Sequence, residues 1–331
     1  MKRIILVSVA LLLIAAALPA LLAPDSVSAT APDKSPAVTA RPAAGLSWQP
    51  ESDEKKTLTV LDGDKTEKMT MHDYLIGVVA AEMPVKFEPE ALKAQAVAAR
   101  TYAVYGMLTG NKHDNADVCT DSACCQAWRS TDNMKTSWGD SFESNFEKIT
   151  AAVEATDGQY LIYQGQPILA AFHSSSGGRT ENSADAWAGS RDYLVSVTSP
   201  ETEKDVPNFT STVSSSPLDF RDTILSKHPE ADFTGKRTAW IGKITKDAAG
   251  RVKTAVLGGV EIAGTELREL FGLRSTEFKL EYDGADFVFT VTGYGHGVGM
   301  SQYGANVMAG NGAKYEAILS HYFPGIELKK A

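Results

Sequence analysis

The order of two sequence patterns limits the folds open to this chain. Residues 69–83 and 88–110 carry apolar side chains at helical spacing, and Pro89 stands in the first turn of the second segment. Beyond residue 150 the pattern changes to short apolar strands between glycines and polar turns: QYLIY, ILAAFHSSS, YLVSV, TAWIGKI, VKTAVL and FVFTVTG. Because helices and strands are partly segregated instead of alternating, the sequence predicts an α+β fold and not a doubly wound sheet.

The N-terminus predicts attachment to a membrane. Two cations, Lys2 and Arg3, precede the uncharged run Ile4–Ala23, which is long enough to cross a bilayer as a helix. We expect residues 1–23 to be an uncleaved anchor; the small residues at 28–31 leave a removable signal peptide as the alternative. Residues 24–50, rich in Ala, Pro and Ser, are typical of an extended linker, so residues 51–331 form the extracytoplasmic domain.

The charge of the chain limits its partners. The net charge is −9 at pH 7. Nucleic-acid binding depends on a basic surface that neutralises phosphates, so this net charge argues against nucleic acid as the main partner.

One acid interrupts an apolar helical stretch. Between Leu75 and Val85 the only ionisable side chain is Glu82, and it shares the i, i+3, i+4, i+7 face of Leu75, Val78 and Val79. Burial and the negative end of the helix dipole both favour the protonated carboxyl, which is the state that general acid catalysis uses. The alternative is a structural Glu paired with a cation.

Two cations lie two turns apart on the second helix. Lys93 and Arg100 therefore share a face, with small residues between them. They could hold an anionic or polyhydroxyl ligand beside Glu82, or they could line a solvated helix face.

One loop, HDNADVCTDSACCQAW, contains all three cysteines of the chain. Cys119, Cys124 and Cys125 together with His113 could form a zinc site of three thiolates and one imidazole. Outside the cytoplasm, a disulfide that leaves one odd thiol is the other interpretation.

Two glycine-bearing loops are candidates for ligand binding. In residues 170–187, His173 ends a strand and leads into three serines, but no G-x-S-x-G elbow accompanies it, so a polar binding loop is favoured over a serine nucleophile. In residues 293–305, glycines alternate around His296, which fits either a close approach to a ligand or a structural turn before a last helix at 299–312.

Five motifs together resemble the stage II sporulation protein D family and its amidase-enhancer relatives. They are GVVAAEMP, EALKAQAVAARTYA, DVCTDSACCQAW, HSSSGGRTE and GHGVGMSQYGA, in this order between about Leu58 and Phe323. The resemblance implies that residues 51–331 are the catalytic ectodomain, in which a helical catalytic segment and a β-rich part form a glycan-binding groove.

The resemblance implies a peptidoglycan lytic transglycosylase that acts during engulfment of the forespore. Such enzymes cut between N-acetylmuramic acid and N-acetylglucosamine without adding water, and the family's catalytic acid falls on Glu82. Glycosidases that hydrolyse this kind of bond ordinarily use two carboxylates. A hydrolase would take its second one from Glu88, Glu181 or Asp185.

The resemblance also implies a metal site and a substrate-binding surface. The family's zinc ligands fall on His113, Cys119, Cys124 and Cys125; Cys124 stands where the family pattern has His, and thiolate can replace imidazole on zinc. All ligands would come from the protein, so the metal would be structural. The candidates for the glycan groove are the polar residues of the matched motifs, namely Lys93, Arg100, His173, Ser174, Ser175 and Glu181.

The partners and the location are likewise implied by the resemblance. They are glycan strands, the sporulation amidase (stage II sporulation protein P) and stage II sporulation protein M, at the mother-cell membrane that faces the forespore. The amidase would strip stem peptides first. A glycan-binding enhancer of a cell-wall amidase, without catalysis of its own, is the alternative function.

Overall fold

The computed structural model describes residues 51–109, 112–187 and 189–330. The predicted anchor at 1–23 and the predicted linker at 24–50 lie outside these residues. Within them, no helix is both long enough and apolar enough to span a bilayer.

Helices and strands are mixed, so the predicted α+β class is confirmed. The helices are α1 (Met71–Glu82), α2 (Pro89–Thr109), α3 (Thr131–Trp138), α4 (Phe142–Glu154), α5 (Ser183–Ala186), α6 (Pro217–Leu225), α7 (Gly264–Leu270), α8 (Gln302–Gly310) and α9 (Tyr315–Tyr322). The strands are β1 (Thr57–Asp62), β2 (Lys65–Thr70), β3 (Val118–Cys119), β4 (Tyr160–Tyr163), β5 (Gln166–Pro167), β6 (Phe172–His173), β7 (Thr210–Ser215), β8 (Ile241–Lys246), β9 (Val252–Leu257), β10 (Val260–Ala263), β11 (Phe278–Tyr282), β12 (Phe287–Thr292), β13 (Met300–Ser301) and β14 (Glu327–Lys329).

The strands form small sheets. Their orders are β2-β1-β3, β10-β9-β8, β11-β12-β7, β13-β6 and β14-β4-β5. The pairings are antiparallel except β1 with β3 and β13 with β6, which are parallel. The β13–β6 pair places Ser301, at the start of α8, beside His173. It therefore brings two distant sequence motifs together.

The first core surrounds α1 and α2, which pack against α4, α8 and α9. Thr70 caps α1, because its hydroxyl accepts a hydrogen bond from the Asp73 amide at 3.0 Å. The helix stops at Glu82, two residues before Pro84, which cannot extend it. Most of α2 is buried, and its many alanines let the neighbouring elements approach closely.

A second core lies within the segment from β7 to β12. Phe220 of α6 stacks on Phe287 of β12 with ring centroids 4.0 Å apart, and Trp240 stacks on the same ring at 5.4 Å. This segment, called the β module below (residues 210–292), occurs in the chain between β6 and β13. Its own core lets it hold the loops at either end in place.

Two sequence-predicted strands differ from the structure. Of ILAAFHSSS, only Phe172–His173 forms a strand. YLVSV, residues 193–197, is irregular, although Tyr193 and Leu194 are buried. Its apolar character reflects packing: the Tyr193 hydroxyl accepts a hydrogen bond from the Leu169 amide at 3.1 Å.

Candidate functional site

Three segments meet at the carboxyl group of Glu82. This residue ends α1 and is partly buried. Its Oε1 accepts a hydrogen bond from the Ala127 amide at 2.7 Å, and its Oε2 accepts one from Gln302 Nε2 at 3.3 Å. No cation pairs with Glu82 in the described ranges, so the alternative of a structural ion pair has no support there.

The surroundings of Glu82 keep a proton on its carboxyl near neutral pH. Burial raises the pKa of Glu82 to about 7, while the hydrogen bonds from Ala127 and Gln302 oppose the rise. At this pKa, both the acid and its conjugate base are populated at physiological pH. A group of this kind can give a proton to a leaving oxygen and take one back.

Residues 127–129, which include the Ala127 amide that donates to Glu82, lie along α1. The Arg129 amide donates to Gly77 O at 3.2 Å, and Trp128 packs directly on Gly77. A Cβ atom at Gly77 would stand 2.1 Å from Trp128 Nε1, so only glycine leaves room for the indole at this position. The close approach fixes the Ala127 amide over the end of the helix.

Gln302 is held by a buried polar network around Glu201. Ser301 caps α8 by accepting from the Gly304 amide at 3.2 Å, and its hydroxyl donates to Glu201 Oε1 at 2.5 Å. The other Glu201 oxygen accepts from Ser199 Oγ at 2.5 Å. Since Gln302 is the first residue of α8, this network positions its side chain toward Glu82.

Sequence reasoning did not single out Gln302 or Glu201. Gln302 lies inside the glycine-rich motif GHGVGMSQYGA, which was the available signal. Glu201 stands in an irregular segment, and no sequence pattern around it marks it.

Arg100, predicted for the glycan groove, has structural partners inside the protein. Its guanidinium is buried and forms an ion pair with Asp53, with Nη2 and Oδ2 2.6 Å apart, and Nη1 donates to Gln159 O at 2.9 Å. A guanidinium with these partners has neither the exposure nor the free donors for glycan contact. It is not on a solvated face either. Lys93 stays partly exposed and pairs with Glu90 at 2.8 Å.

His173, proposed for the groove, is also buried. Its Nδ1 lies 3.2 Å from Val298 O and must donate to it, so Nε2 accepts from Ser176 Oγ at 2.6 Å. Burial, then the nearby charges of His296 and Arg251, holds the pKa of His173 well below its usual range. Because Ser176 has no exposed surface, this pair fastens the loop and does not present a nucleophile to a substrate.

Ser175 and Glu181, two more residues predicted for the groove, are buried as well. Ser175 pairs its backbone with Tyr294, and Glu181 faces Arg251 with Oε2 and Nε 3.8 Å apart. Burial raises the pKa of Glu181 to about 8, helped by Asp247. Only Ser174 of this loop's candidates keeps partial exposure.

The other acids considered for a hydrolase do not share a hydrogen bond with Glu82. Asp185 pairs with Lys253 at 2.7 Å, which lowers the pKa of Asp185. Glu88 is exposed, and its amide donates to Asn306 Oδ1 at 2.8 Å.

The predicted metal ligands converge. The ligand atoms of His113, Cys119, Cys124 and Cys125 all lie within 4.8 Å of one another. His113 Nε2 is 3.6 Å from both Cys124 Sγ and Cys125 Sγ, and these two sulfurs are 4.0 Å apart. Metal–sulfur bonds of about 2.3 Å in a tetrahedron give edges of about 3.5–3.8 Å, so the cluster fits a metal ion.

All three cysteines are free thiols, so the disulfide alternative is not what the structure shows. The hydrogen bond with Cys119 is the main cause that lowers the pKa of the Cys125 thiol to about 5. Burial opposes this shift, and the hydrogen bond with His113 adds to it. A thiol that ionises this readily is a suitable metal ligand.

Comparison with known proteins identifies the family. Residues 62–163 match the sequence model described as "SpoIID: Stage II sporulation protein". The chain is 40% identical over 268 residues to stage II sporulation protein D of Bacillus amyloliquefaciens, which covers 80% of this chain and 76% of that protein. The protein of the same name from Bacillus subtilis (strain 168) is 39% identical over the same shares.

A relative with a different name is also similar. The amidase enhancer of Bacillus subtilis (strain 168) is 32% identical over 304 residues, which covers 77% of this chain and 40% of that protein. The identity and coverage of the sporulation proteins, together with the matched segment that holds both Glu82 and the cysteine cluster, lead to one assignment: the chain belongs to the stage II sporulation protein D family, whose members act in sporulation.

Proposed function

We propose that this protein is a peptidoglycan lytic transglycosylase that cleaves between N-acetylmuramic acid and N-acetylglucosamine. The observation that carries the proposal is the carboxyl of Glu82, whose pKa is raised to about 7 at the junction of α1, α8 and the 127–129 segment. A carboxyl poised in this way suits proton transfer to a glycosidic oxygen at neutral pH.

Glu82 acts first as an acid and then as a base. Its proton goes to the glycosidic oxygen while the bond from that oxygen to the muramic C1 breaks. The C6 hydroxyl of the same muramic residue attacks C1, and its proton returns to Glu82. The products are a 1,6-anhydro end and a free hydroxyl on N-acetylglucosamine, so the reaction consumes no water and regenerates the acid.

One carboxyl suffices for this reaction, whereas hydrolytic glycosidases ordinarily use a pair. The nearby groups that bond to Glu82 are an amide N–H and a glutamine side chain, not a second acid. Both are donors to the carboxylate, so they stabilise the form that Glu82 takes after it has given up its proton. They also fix the direction in which the carboxyl faces.

The cysteine loop would hold zinc in the proposed enzyme. Three thiolates and one imidazole are a donor set that zinc prefers, and His113, Cys119, Cys124 and Cys125 would occupy its four positions. Bound there, zinc supplies structural cross-linking of the loop. Ala127 follows Cys125 by two residues, so an ordered loop keeps the Ala127 amide on Glu82.

The proposed setting is the cell membrane, with the described domain outside the cytoplasm. The uncharged run at residues 4–23 supports an anchor. Glycan strands would be the substrate, and the sporulation amidase and stage II sporulation protein M would be the partners, as the family resemblance implies.

The second candidate function is that of an amidase enhancer. It is favoured by the 32% identity to the amidase enhancer of Bacillus subtilis. In that role the domain would bind glycan and present it to an amidase, and Glu82 would have no chemical task.

Mass spectrometry of the products separates these functions. The full-length protein, Glu82→Gln and the control Glu67→Gln, which removes an exposed acid of β2, are each incubated with peptide-free glycan strands. We expect anhydro-ended fragments, one water lighter than hydrolysis products, from the wild type and the control but not from Glu82→Gln. Hydrated ends would indicate a hydrolase, and intact but bound strands would indicate the enhancer.

A further inference from the structure

Arg251 is a buried cation at the place where the β module meets the glycine-rich loop (residues 293–299). It stands directly before β9, is 1% exposed, and is the largest fully buried side chain among the described residues. Its Nε faces Glu181 Oε2 at 3.8 Å, and its Nη1 donates to Thr276 Oγ1 at 3.3 Å and to Gly295 O at 3.5 Å. It therefore contacts two segments outside the module.

The guanidinium of Arg251 is only partly satisfied by these contacts. Within the described residues, its Nε and Nη2 have no hydrogen-bond partner, and neither do Oε2 of Glu181 and Oε2 of Glu277. Charged groups buried in this way gain little net stability from their attraction, because each has to lose its water, but they can favour one arrangement of the segments that carry them. Arg251 thus contributes more to fixing an arrangement than to the stability of the fold.

The glycine-rich loop passes close to this guanidinium. Gly297 has a φ of +84°, and a Cβ atom there would stand 2.3 Å from Arg251 Cζ. On another side of the loop, a Cβ atom at Gly299 would stand 2.1 Å from the Ala171 carbonyl oxygen. A larger residue at either position would push the loop away from its neighbour. The glycines therefore allow two close approaches within the protein.

Backbone hydrogen bonds hold the loop in this position. Gly297 O accepts from the Glu181 amide at 2.8 Å, so the residue that faces Arg251 also binds the loop. At the end of the loop, the Met300 amide donates to Ala171 O at 3.0 Å. The chain thus enters β13 in a fixed direction.

The loop leads directly to the residue that reaches Glu82. β13 and α8 follow it, and Gln302, the first residue of α8, donates to Glu82 Oε2 at 3.3 Å. This bond is slightly longer than the usual range of about 2.7–3.2 Å. The Ala127 amide, by contrast, donates to Glu82 Oε1 at 2.7 Å. A small displacement of the loop would therefore break the Gln302 contact first.

We propose that Arg251 is a positioning residue for the Glu82 carboxyl: from the β module it holds the glycine-rich loop, and so keeps the Gln302 side chain on Glu82. The β module then contributes to the reaction without touching the reacting atoms. The inference rests on the proposed function only in taking Glu82 as the reacting group. The competing explanation is that the network around Glu201 is sufficient to hold the start of α8.

The test measures the titration of Glu82 in the full-length protein. Carbon-13 NMR of glutamate-labelled protein follows the carboxyl groups, and Glu82→Gln identifies the resonance. We expect a midpoint near pH 7 in the wild type and one about 0.5–1 pH unit higher in Gln302→Leu, because the carboxylate loses a donor. Arg251→Met should show the same rise. Combined with Gln302→Leu it should add nothing further, since both changes remove the same contact.

Two further variants separate position from charge and from folding. Gly297→Ala keeps the charge of Arg251 but pushes the loop off its guanidinium, so it should raise the midpoint as Arg251→Met does. It also tests the inference if Arg251→Met does not fold. Phe220→Leu weakens the core of the β module, where Phe220 stacks on Phe287. It should lower the unfolding temperature without moving the midpoint.

Three results would overturn the inference. An unmoved midpoint in folded Arg251→Met and Gly297→Ala would mean that the network around Glu201 holds Gln302 alone. An equal rise in Phe220→Leu would point to loss of stability as the cause. Additive rises in the double variant would point to the charge of Arg251 and not to its hold on the loop.

The titration needs no turnover, so it separates the inference from the proposed function. Raised midpoints in Arg251→Met and Gly297→Ala, without anhydro products from the wild type, would support the inference and contradict the proposed function. Anhydro products from the wild type with unmoved midpoints in both variants would do the reverse.

Discussion

At the scale of single residues, the proposed chemistry depends on how burial and two hydrogen-bond donors together set the pKa of Glu82. Desolvation penalises the carboxylate more than the Ala127 amide and the Gln302 side chain stabilise it, so the pKa rises from 4.5 to about 7. The donors limit this rise. The two hydrogen bonds therefore tune the acid as well as orient it.

The rate should follow the protonation of Glu82. The acid form donates the proton, so kcat/KM should fall about tenfold per pH unit above a midpoint near pH 7. Gln302→Leu removes a donor to the carboxylate, which raises the pKa further and moves this limb to higher pH. Rates of anhydro-product release between pH 5 and 9 give both midpoints. An unchanged midpoint in Gln302→Leu would show that the side chain does not act on the carboxyl.

The raised pKa of Glu82 also predicts how the stability of the fold depends on pH. Folding raises the pKa of Glu82, so the folded state holds its proton more tightly than the unfolded state between pH 4.5 and about 7. The associated stability is present below pH 4.5 and is lost as pH rises through 7; it amounts to at most about 3 kcal/mol. In Glu82→Gln this loss should be absent when denaturant unfolding is compared at pH 4.5 and 8.

At the scale of elements, the cysteine loop connects the candidate metal site to the candidate active site. The loop starts from the end of α2, pairs with β1 through β3, and reaches Glu82 through Ala127. Gln126 adds a hydrogen bond of 3.0 Å from its Nε2 to the buried Tyr74 hydroxyl. A metal ion bound to the loop should therefore affect Glu82 by fixing the position of the Ala127 amide, and should take no part in the reaction itself.

Removing the metal should lower stability and only then activity. Cys125→Ser deletes one ligand. We expect about one zinc ion per chain in the wild type and a markedly lower zinc content in the variant. Thermal unfolding should shift down by several degrees in Cys125→Ser and in chelated wild type alike. Activity measured well below the unfolding temperature should fall less than in Glu82→Gln. Two oxidised cysteines in a thiol titration would instead indicate a disulfide.

Local patterns predicted α1 and α2 because helical periodicity and the two prolines act over neighbouring residues. They did not reveal the partners of Arg100 or Glu82, since Asp53 lies 47 positions and Gln302 220 positions away in sequence. The sequence of one helix shows that Arg100 is a cation on its face, but it does not show that Asp53 pairs with this cation. The convergence of the metal ligands could be predicted because they occupy one short loop.

At the scale of the whole molecule, two cores are joined through buried polar contacts. The Arg251 side chain belongs to the β module and lies against Glu181 and the glycine-rich loop; a Cβ at Gly297 would stand 2.3 Å from its Cζ. In the first core, Arg100 of α2 donates hydrogen bonds to Asp53, near the start of the described chain, and to the Gln159 carbonyl before β4. The buried arginines Arg251 and Arg100 thus connect separate parts of the chain and have a structural role.

The Arg100 ion pair gives the last prediction, which tests structure against substrate binding. Arg100→Met leaves Asp53 buried without its cation, so the free energy of unfolding should drop by about 3–5 kcal/mol. Arg100→Met with Asp53→Asn removes both charges and should recover part of that loss. Urea unfolding gives these values, and KM for peptide-free glycan, measured where each variant is folded, should stay at the wild-type level in the double variant. A KM raised tenfold with stability restored would return Arg100 to the glycan groove, because only contact with the strand would then explain the loss.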